Sequence, residues 1–307
     1  MAVYLFNLGA YVLGDRTLFR FATGALSRDT KSSLLVSDYS KAPECPFPCA
    51  LIDALSLYLH LLDENCPIKF DKIIFAGDSA GGGLSLSLLL YLKDHSMKLP
   101  DGVIGLSPWI DLTFSHPSLL LNRPFDYITS VIGDEKTDRD KDWLHNDRIY
   151  YYCTDNTQLN SPYVSPVYYS GSSSDFPPIL IQFGEAELLR DEQLGFFTKV
   201  MPKANIRLEM YTDMIHVFQY IFRFSTQSIT ALERIAKFIE SIERGDKIYR
   251  QALIVTGSQI KPFVDPFSIV VEGKKIVDEM RSEGILEWWD SYQKVHGLTT
   301  PKYLQDL

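Results

Sequence analysis

The sequence predicts an α/β fold: a doubly wound, mostly parallel sheet with an insert or cap between strands. Three observations carry this expectation. Short, nearly continuous apolar runs alternate with helix-length segments along most of the chain. A glycine-flanked serine stands between one such run and a helix. A long polar and aromatic stretch then breaks the alternation once.

The apolar runs fall at 3–8, 33–39, 73–78, 102–108, 178–183 and 206–211. Runs without a polar face suit strands covered on both sides. Between them, 16–24, 49–62, 80–95, 191–203 and 225–244 have helical length. Strand, helix and strand in series give a parallel sheet with helices on both faces. The insert, roughly 112–176, holds the charged run GDEKTDRDKDWLHNDR, then IYYYCTDNTQLNSPYVSPVYY and SGSSS. A loop of that length inside a compact domain points to function or to disorder, while the charged run itself suits a solvated face. The α/β domain is thus expected over 1–245. Residues 246–307 form an extension of unknown role, without a chemical motif, in which Trp288 and Trp289 are expected to pack back on the domain.

At 307 residues and 46% hydrophobic content the chain can build one large core. Thirty basic and 39 acidic residues leave a formal charge of −9. That balance argues against nucleic acid, which requires clustered cations, and against docking on anionic lipid. A neutral or apolar substrate suits it better, and nothing suggests a cofactor or a metal. Oligomeric state leaves no signal. The cysteines Cys45, Cys49, Cys66 and Cys153 lack metal-ligand spacing. Cys45 and Cys49 flank Pro-Phe-Pro, and free thiols are expected. No Asn-X-Ser/Thr sequon occurs, and the opening residues lack the basic segment of a secretory signal. The longest apolar run, 84–92, is shorter than the ~18 residues of a membrane span. As written, the sequence predicts a cytoplasmic protein. A place at the endoplasmic reticulum would require an N-terminal anchor ahead of it.

The sharpest local signal is Gly77-Asp78-Ser79-Ala80-Gly81, directly after the apolar run KIIFA and before an apolar helix. A serine on a tight strand-to-helix turn projects its hydroxyl above the sheet's carboxyl edge, and glycines two positions away relieve the crowding. Gly82 and Gly83 would let the following helix approach closely. A nucleophilic serine needs a base. Among six histidines, His60 lies on an apolar helix, His95 and His145 sit among charges, His116 is in the insert and His296 in the tail. His216 follows the run 206–211, on a loop beyond a strand's carboxyl end, where α/β active sites collect. An unperturbed imidazole there would titrate near ~6–7.

Separated motifs in this order resemble the hormone-sensitive-lipase branch of the α/β-hydrolases, and within it the fungal type that includes steryl acetyl hydrolases. Asp38-Tyr39-Ser40-Lys41-Ala42-Pro43-Glu44, followed by Pro46-Phe47-Pro48, matches the family's D-Y-x-x-A-P-E-x-P-F-P segment. Gly77 to Gly82 matches the nucleophile turn, and Ser107-Pro108-Trp109-Ile110-Asp111 the S-P-W-x-D element. Leu189-Arg190-Asp191-Glu192 and His216 complete the set. The resemblance implies an α/β-hydrolase fold and a carboxylic ester hydrolase that forms an acyl-enzyme on an apolar ester, such as a steryl acetate. It assigns Ser79 as nucleophile, His216 as base and Glu187 as acid, with Asp191 as the alternative carboxylate. Relatives receive the oxyanion on an H-G-G-G turn. The matching stretch here is Asn7-Leu8-Gly9-Ala10-Tyr11, which leaves Gly9 and Ala10 as donors beside Ala80. Leu8 for glycine and Asn7 for histidine predict a weakened oxyanion hole, and one lost donor costs ~3–4 kcal/mol of barrier. Relatives also carry an earlier segment that covers the site, so an N-terminal part is expected to be missing here. The alternative is a non-catalytic small-molecule-binding protein or an inactive, truncated hydrolase. Receptor-like members lose the histidine, which this chain keeps.

Overall fold

In a computed structural model of the chain, the described residues are 2–6, 10–13, 20–128, 152–295 and 297–307. Eight strands form one sheet: β1 (Ala2–Phe6), β2 (Ser33–Ser37), β3 (Ile73–Asp78), β4 (Gly102–Leu106), β5 (Ile179–Gly184), β6 (Ile206–Tyr211), β7 (Gln251–Thr256) and β8 (Gln259–Pro262). Their order is β2-β1-β3-β4-β5-β6-β7-β8. Every neighbouring pair is parallel except β7 with β8. The order reverses between β1 and β3, the kind of position at which open α/β sheets bind ligands.

Burial explains the unbroken apolar runs: β3, β4 and β5 are buried at every position. Alternate side chains serve opposite faces. Ile73 and Phe75 meet Leu51, Ala54 and Tyr58 of α2 (Cys49–Leu62) and Leu84 and Leu88 of α3 (Ala80–Asp94). Ile74 and Ala76 pack instead with Leu26 of α1 (Arg20–Thr30) and with Ile235, Phe238 and Ile239 of a later helix, Thr226–Arg244.

The insert contributes α4 (Ser118–Leu121) and two short 3₁₀ turns at Asn156–Asn160 and Pro166–Tyr168. Its charged run lies outside the described residues, as do His145 and His296. The single helix expected at 191–203 is α5 (Arg190–Gly195) continued by a wider π-turn at Phe196–Val200. Next come α6 (Phe218–Ile221) and α7 (Thr226–Arg244). Ser225 caps α7 by accepting from the Ser228 N–H, and left-handed Gly245 ends it. The first helix begins at Arg20, and 14–19 lie outside the described residues.

The sheet does not end at β6. Residues 251–262 add the β7–β8 hairpin, joined through Gly257 at a positive φ of 59°. Beyond it, α8 (Phe267–Ser282), α9 (Glu287–Val295) and α10 (Lys302–Gln305) follow, with α8 against α4 and α5. Trp289 is buried, whereas the side chain of Trp288 lies outside the described residues. A hydrogen bond of 2.8 Å between His116 Nε2 and the Tyr303 hydroxyl ties α10 to the insert. Among the described residues no helix is long and apolar enough to cross a membrane.

Two glycines set how closely α3 follows β3. A Cβ on Gly77 would collide with the backbone of Gly81, and one on Gly83 with the Trp109 carbonyl. Backbone obstacles cannot rotate away. Gly83→Ala should therefore lower the unfolding free energy by about 1–3 kcal/mol. Gly24→Ala, whose Cβ enters open space on α1, should hold or raise it by up to about 1 kcal/mol. Urea unfolding of the two variants checks the ranking.

Candidate active site

Ser79 stands at the end of β3 with φ 53° and ψ −121°, a conformation costly for a residue with a side chain. The turn is held by its own backbone. Ser79 N–H donates to the Leu106 carbonyl at 2.9 Å, while its carbonyl accepts from Gly83 at 3.0 Å and from Trp109 at 2.9 Å. Ser79 directly precedes the first turn of α3, where partial positive charge gathers.

Positive φ recurs around this point in residues that avoid it. Ala10 (51°) and Tyr11 (64°) form the turn after β1, Ser107 (46°) follows β4, and Val217 (53°) follows His216. For a β-branched valine this is a marked outlier. Strain of this kind persists only where surrounding structure over-determines it, and it gathers at functional sites.

His216 is 2% exposed. Its neighbour Val217 donates an N–H to Ser107 Oγ at 3.0 Å, and the backbone of His216 itself hydrogen-bonds Asp126. The ring of Tyr127 lies 6.2 Å from the imidazole. Burial alone pulls the His216 pKa down to about 3, well below the expected ~6–7. The imidazole is neutral at physiological pH, the form in which it can take a proton. Among the described residues its Nδ1 has no hydrogen-bond partner.

Glu187 is fully buried on the loop after β5. Its Oε2 accepts from Ser107 Oγ at 2.6 Å and from the Gly184 N–H at 3.0 Å, and its Oε1 from Gln193 Nε2 at 2.7 Å. Burial raises its pKa to about 8, against the opposing pull of the Ser107 and Gly184 hydrogen bonds. Asp126, whose Oδ2 accepts the Leu188 N–H at 2.8 Å, adds a like charge that pushes in the same direction as burial. Glu187 is directed at Ser107 and not at His216. Ser107 Oγ, taking the Val217 N–H and giving its own proton to Glu187, lies between the two loops.

Asp191, the alternative carboxylate, is engaged elsewhere. Its Oδ2 accepts from the Ser118 N–H at 2.8 Å, and its Oδ1 pairs with Arg190 Nε at 2.7 Å. Of the expected oxyanion donors, Ala80 opens α3 and Ala10 lies in the turn after β1, where Phe6 is in register with Gly77. Gly9, with Asn7 and Leu8, lies outside the described residues. The Ala10–Tyr11 turn is braced from behind. Tyr11 stacks on Tyr152 with ring centroids 3.7 Å apart, and its carbonyl accepts the Ala42 N–H at 3.0 Å.

Sequence reasoning placed Ser107 only within a motif and passed over Asp126 and Gln193. Ser107 could have been found as the hydroxyl leaving the strand next to β3. Asp126, deep in the insert, carried no such signal. One further buried group, Asp111, His116 and Glu192, offers metal-type ligand atoms within 4.8 Å of one another. Its atoms are already engaged. Burial would raise the Asp111 pKa, but hydrogen bonds from His116, Ser115 and Thr113 outweigh it and hold the carboxyl down at about 2. Glu192 Oε1 accepts the Ile110 N–H, and both His116 nitrogens have partners. The group serves to anchor the C-terminal segment.

The model of a family described as the alpha/beta hydrolase fold matches residues 3–220. An esterase of Acinetobacter venetianus is 32% identical over 76% of this chain and 73% of its own. An acetyl-hydrolase of Streptomyces hygroscopicus is 28% identical over 76% and 73%. Among solved structures, EstE5 soaked with p-nitrophenyl butyrate superposes with a TM-score of 0.68 at 29% identity, covering 78% of this chain and 76% of that one. A hormone-sensitive lipase from a metagenome library gives 0.66 at 28% identity, over 78% and 77%. The chain belongs to the α/β-hydrolase fold family.

Removing the Ser107 hydroxyl should strand a buried acceptor on Glu187 and a buried N–H on Val217. Ser107→Ala is expected to cost about 1–3 kcal/mol of stability, measured by urea unfolding at pH 7.

Proposed function

We propose that the chain is a carboxylic ester hydrolase with Ser79 as nucleophile, His216 as general base and Glu187 as the acid that orients the imidazole. The observation that carries this reading is the strained Ser79 turn at the β1/β3 reversal, with a buried neutral histidine on a loop tethered to the neighbouring strand end. Ser79 Oγ attacks the ester carbonyl carbon while His216 takes its proton. The developing oxyanion is met by backbone N–H groups of Ala80 and Ala10, and the sequence offers Gly9 as a further donor. The alcohol leaves with the proton from His216, and water then cleaves the acyl-enzyme by the same exchange.

Glu187 enters this cycle by turning from Ser107 to Nδ1 of His216 as the imidazolium forms. An imidazolium beside it would favour the ionised carboxyl, opposing the burial that raises its pKa. Asp191 is a weaker candidate because Ser118 and Arg190 already hold it.

The proposed substrate joins a short acyl group to an apolar alcohol, a steryl acetate being one such ester. The acetyl-hydrolase name of a relative supports the short acyl chain. Exposed Phe125 and Tyr127, beside the histidine loop, and the formal charge of −9 support a neutral, apolar partner.

A fluorophosphonate should label Ser79, located by mass spectrometry, and Ser79→Ala should abolish both labelling and p-nitrophenyl butyrate hydrolysis while the protein stays folded. Labelling of another serine, or none in folded protein, would overturn the assignment. Glu187→Gln should lower kcat by up to about ten-thousand-fold, and Asp191→Asn far less. The opposite ranking would transfer the role to Asp191.

A further inference from the structure

Three buried polar residues of the insert recur at a spacing of four: Ser118, Asn122 and Asp126. The Asn122 N–H donates to the Ser118 carbonyl at 2.9 Å and the Asp126 N–H to the Asn122 carbonyl at 3.3 Å. Through these bonds α4 and the turn after it present the three on one side. All three side chains meet the loop that follows β5. The Ser118 hydroxyl donates to the Leu188 carbonyl at 2.7 Å and accepts the Asp191 N–H at 3.0 Å. Asn122 Nδ2 donates to the carbonyls of Glu185 at 3.2 Å and Glu187 at 2.8 Å. Asp126 Oδ2 accepts the Leu188 N–H at 2.8 Å. The Glu187 carbonyl and the Leu188 N–H belong to one planar peptide unit, which is therefore gripped through both of its polar atoms.

We propose that Ser118, Asn122 and Asp126 are positioning residues, a clamp that fixes the backbone of Glu187 so that its carboxyl travels between Ser107 and His216 by side-chain rotation alone. A peptide unit held on both sides cannot swing, so the base of the Glu187 side chain stays in place while its own torsions move the carboxyl. The grip extends to the base. The Ala186 N–H donates to the Met214 carbonyl at 2.9 Å, two residues before His216, and a Cβ on Gly184 would collide with that same carbonyl. Displacing the acid's loop would thus disturb the histidine loop as well. The C-terminal extension backs the clamp, because a Cβ on Gly273 of α8 would come within 3.0 Å of Pro117 Cβ and 3.3 Å of Leu121 Cδ1. The kinetic consequence rests on the esterase reading above, whereas the clamp itself does not.

In the full-length protein, Asn122→Ala should lower kcat for p-nitrophenyl butyrate by about ten- to a hundredfold. KM should hold, because the partners of Asn122 are backbone carbonyls and not substrate. Added to Glu187→Gln, the same change should lower kcat by less than about twofold more, since a clamp acts only through the side chain it positions. Loops merely anchored for stability would give the same loss in both backgrounds. That outcome, an unchanged kcat, or a rise in KM alone would overturn the proposal.

If Asn122→Ala does not fold, Asp126 decides. Asp126→Ala should lower kcat, and Asp126→Asn, whose amide oxygen can still accept the Leu188 N–H, should recover most of the loss. Failure to recover would count against the clamp. Hydrogen exchange over residues 184–190 should quicken by about tenfold or more in the folded alanine variants, and unchanged exchange would overturn the proposal with or without activity. Wild-type protein that hydrolyses no ester would overturn the esterase reading and leave the exchange result to decide the clamp by itself.

Discussion

The hydroxyl of Ser107 is the point on which the site's geometry turns. It leaves β4 in a left-handed conformation fixed by its own N–H, which donates to the Gln182 carbonyl at 2.7 Å. From there it gives a proton to Glu187 and accepts one from Val217. Three loops from β4, β5 and β6 are tied by one oxygen, immediately beside the strand that carries Ser79. The other supports extend the same tether. Asp126 holds the Leu188 N–H and the His216 backbone, and Asn122 Nδ2 donates to the Glu187 carbonyl at 2.8 Å. The insert thus reaches into the site through Asn122 and Asp126.

Burial then sets the charge of that tethered group. It lowers His216 to about 3 and raises Glu187 to about 8, the latter against three hydrogen-bond donors that favour the ionised carboxyl. An imidazolium formed beside Glu187 favours its carboxylate further, because a carboxylate and a cation stabilise each other most where water is scarce. Ser107 is the partner that Glu187 must release.

Much of the fold was legible in the sequence. Nearly continuous apolar runs marked β3, β4 and β5 because strands covered on both faces have no polar side to show. Gly77 to Gly83 announced the turn since close backbone approach excludes any Cβ. The β7–β8 hairpin was hidden in a segment without chemical motifs, although its Gly257-Ser258 corner is a turn signal. For the site, Ser79 and His216 stood out by their place after strands, and Glu187 by family resemblance. Their ionisation was not legible, because it depends on burial by residues distant in sequence. Neither was the role of Asp126, whose partners His216 and Leu188 lie far along the chain.

The pH dependence of kcat/KM for p-nitrophenyl butyrate tests the central claim most directly. A base held neutral down to about 3 should put no titration between pH 5 and 7. A buried acid that ionises only near 8 should make the rate rise through an apparent pKa about there. The folded carboxyl is raised, so its charged, orienting form appears above that pH and is lost below it. Glu187→Gln should remove the rise and leave a low, flat profile. A rate that instead climbs through ~6–7 and keeps that limb in Glu187→Gln would contradict the account.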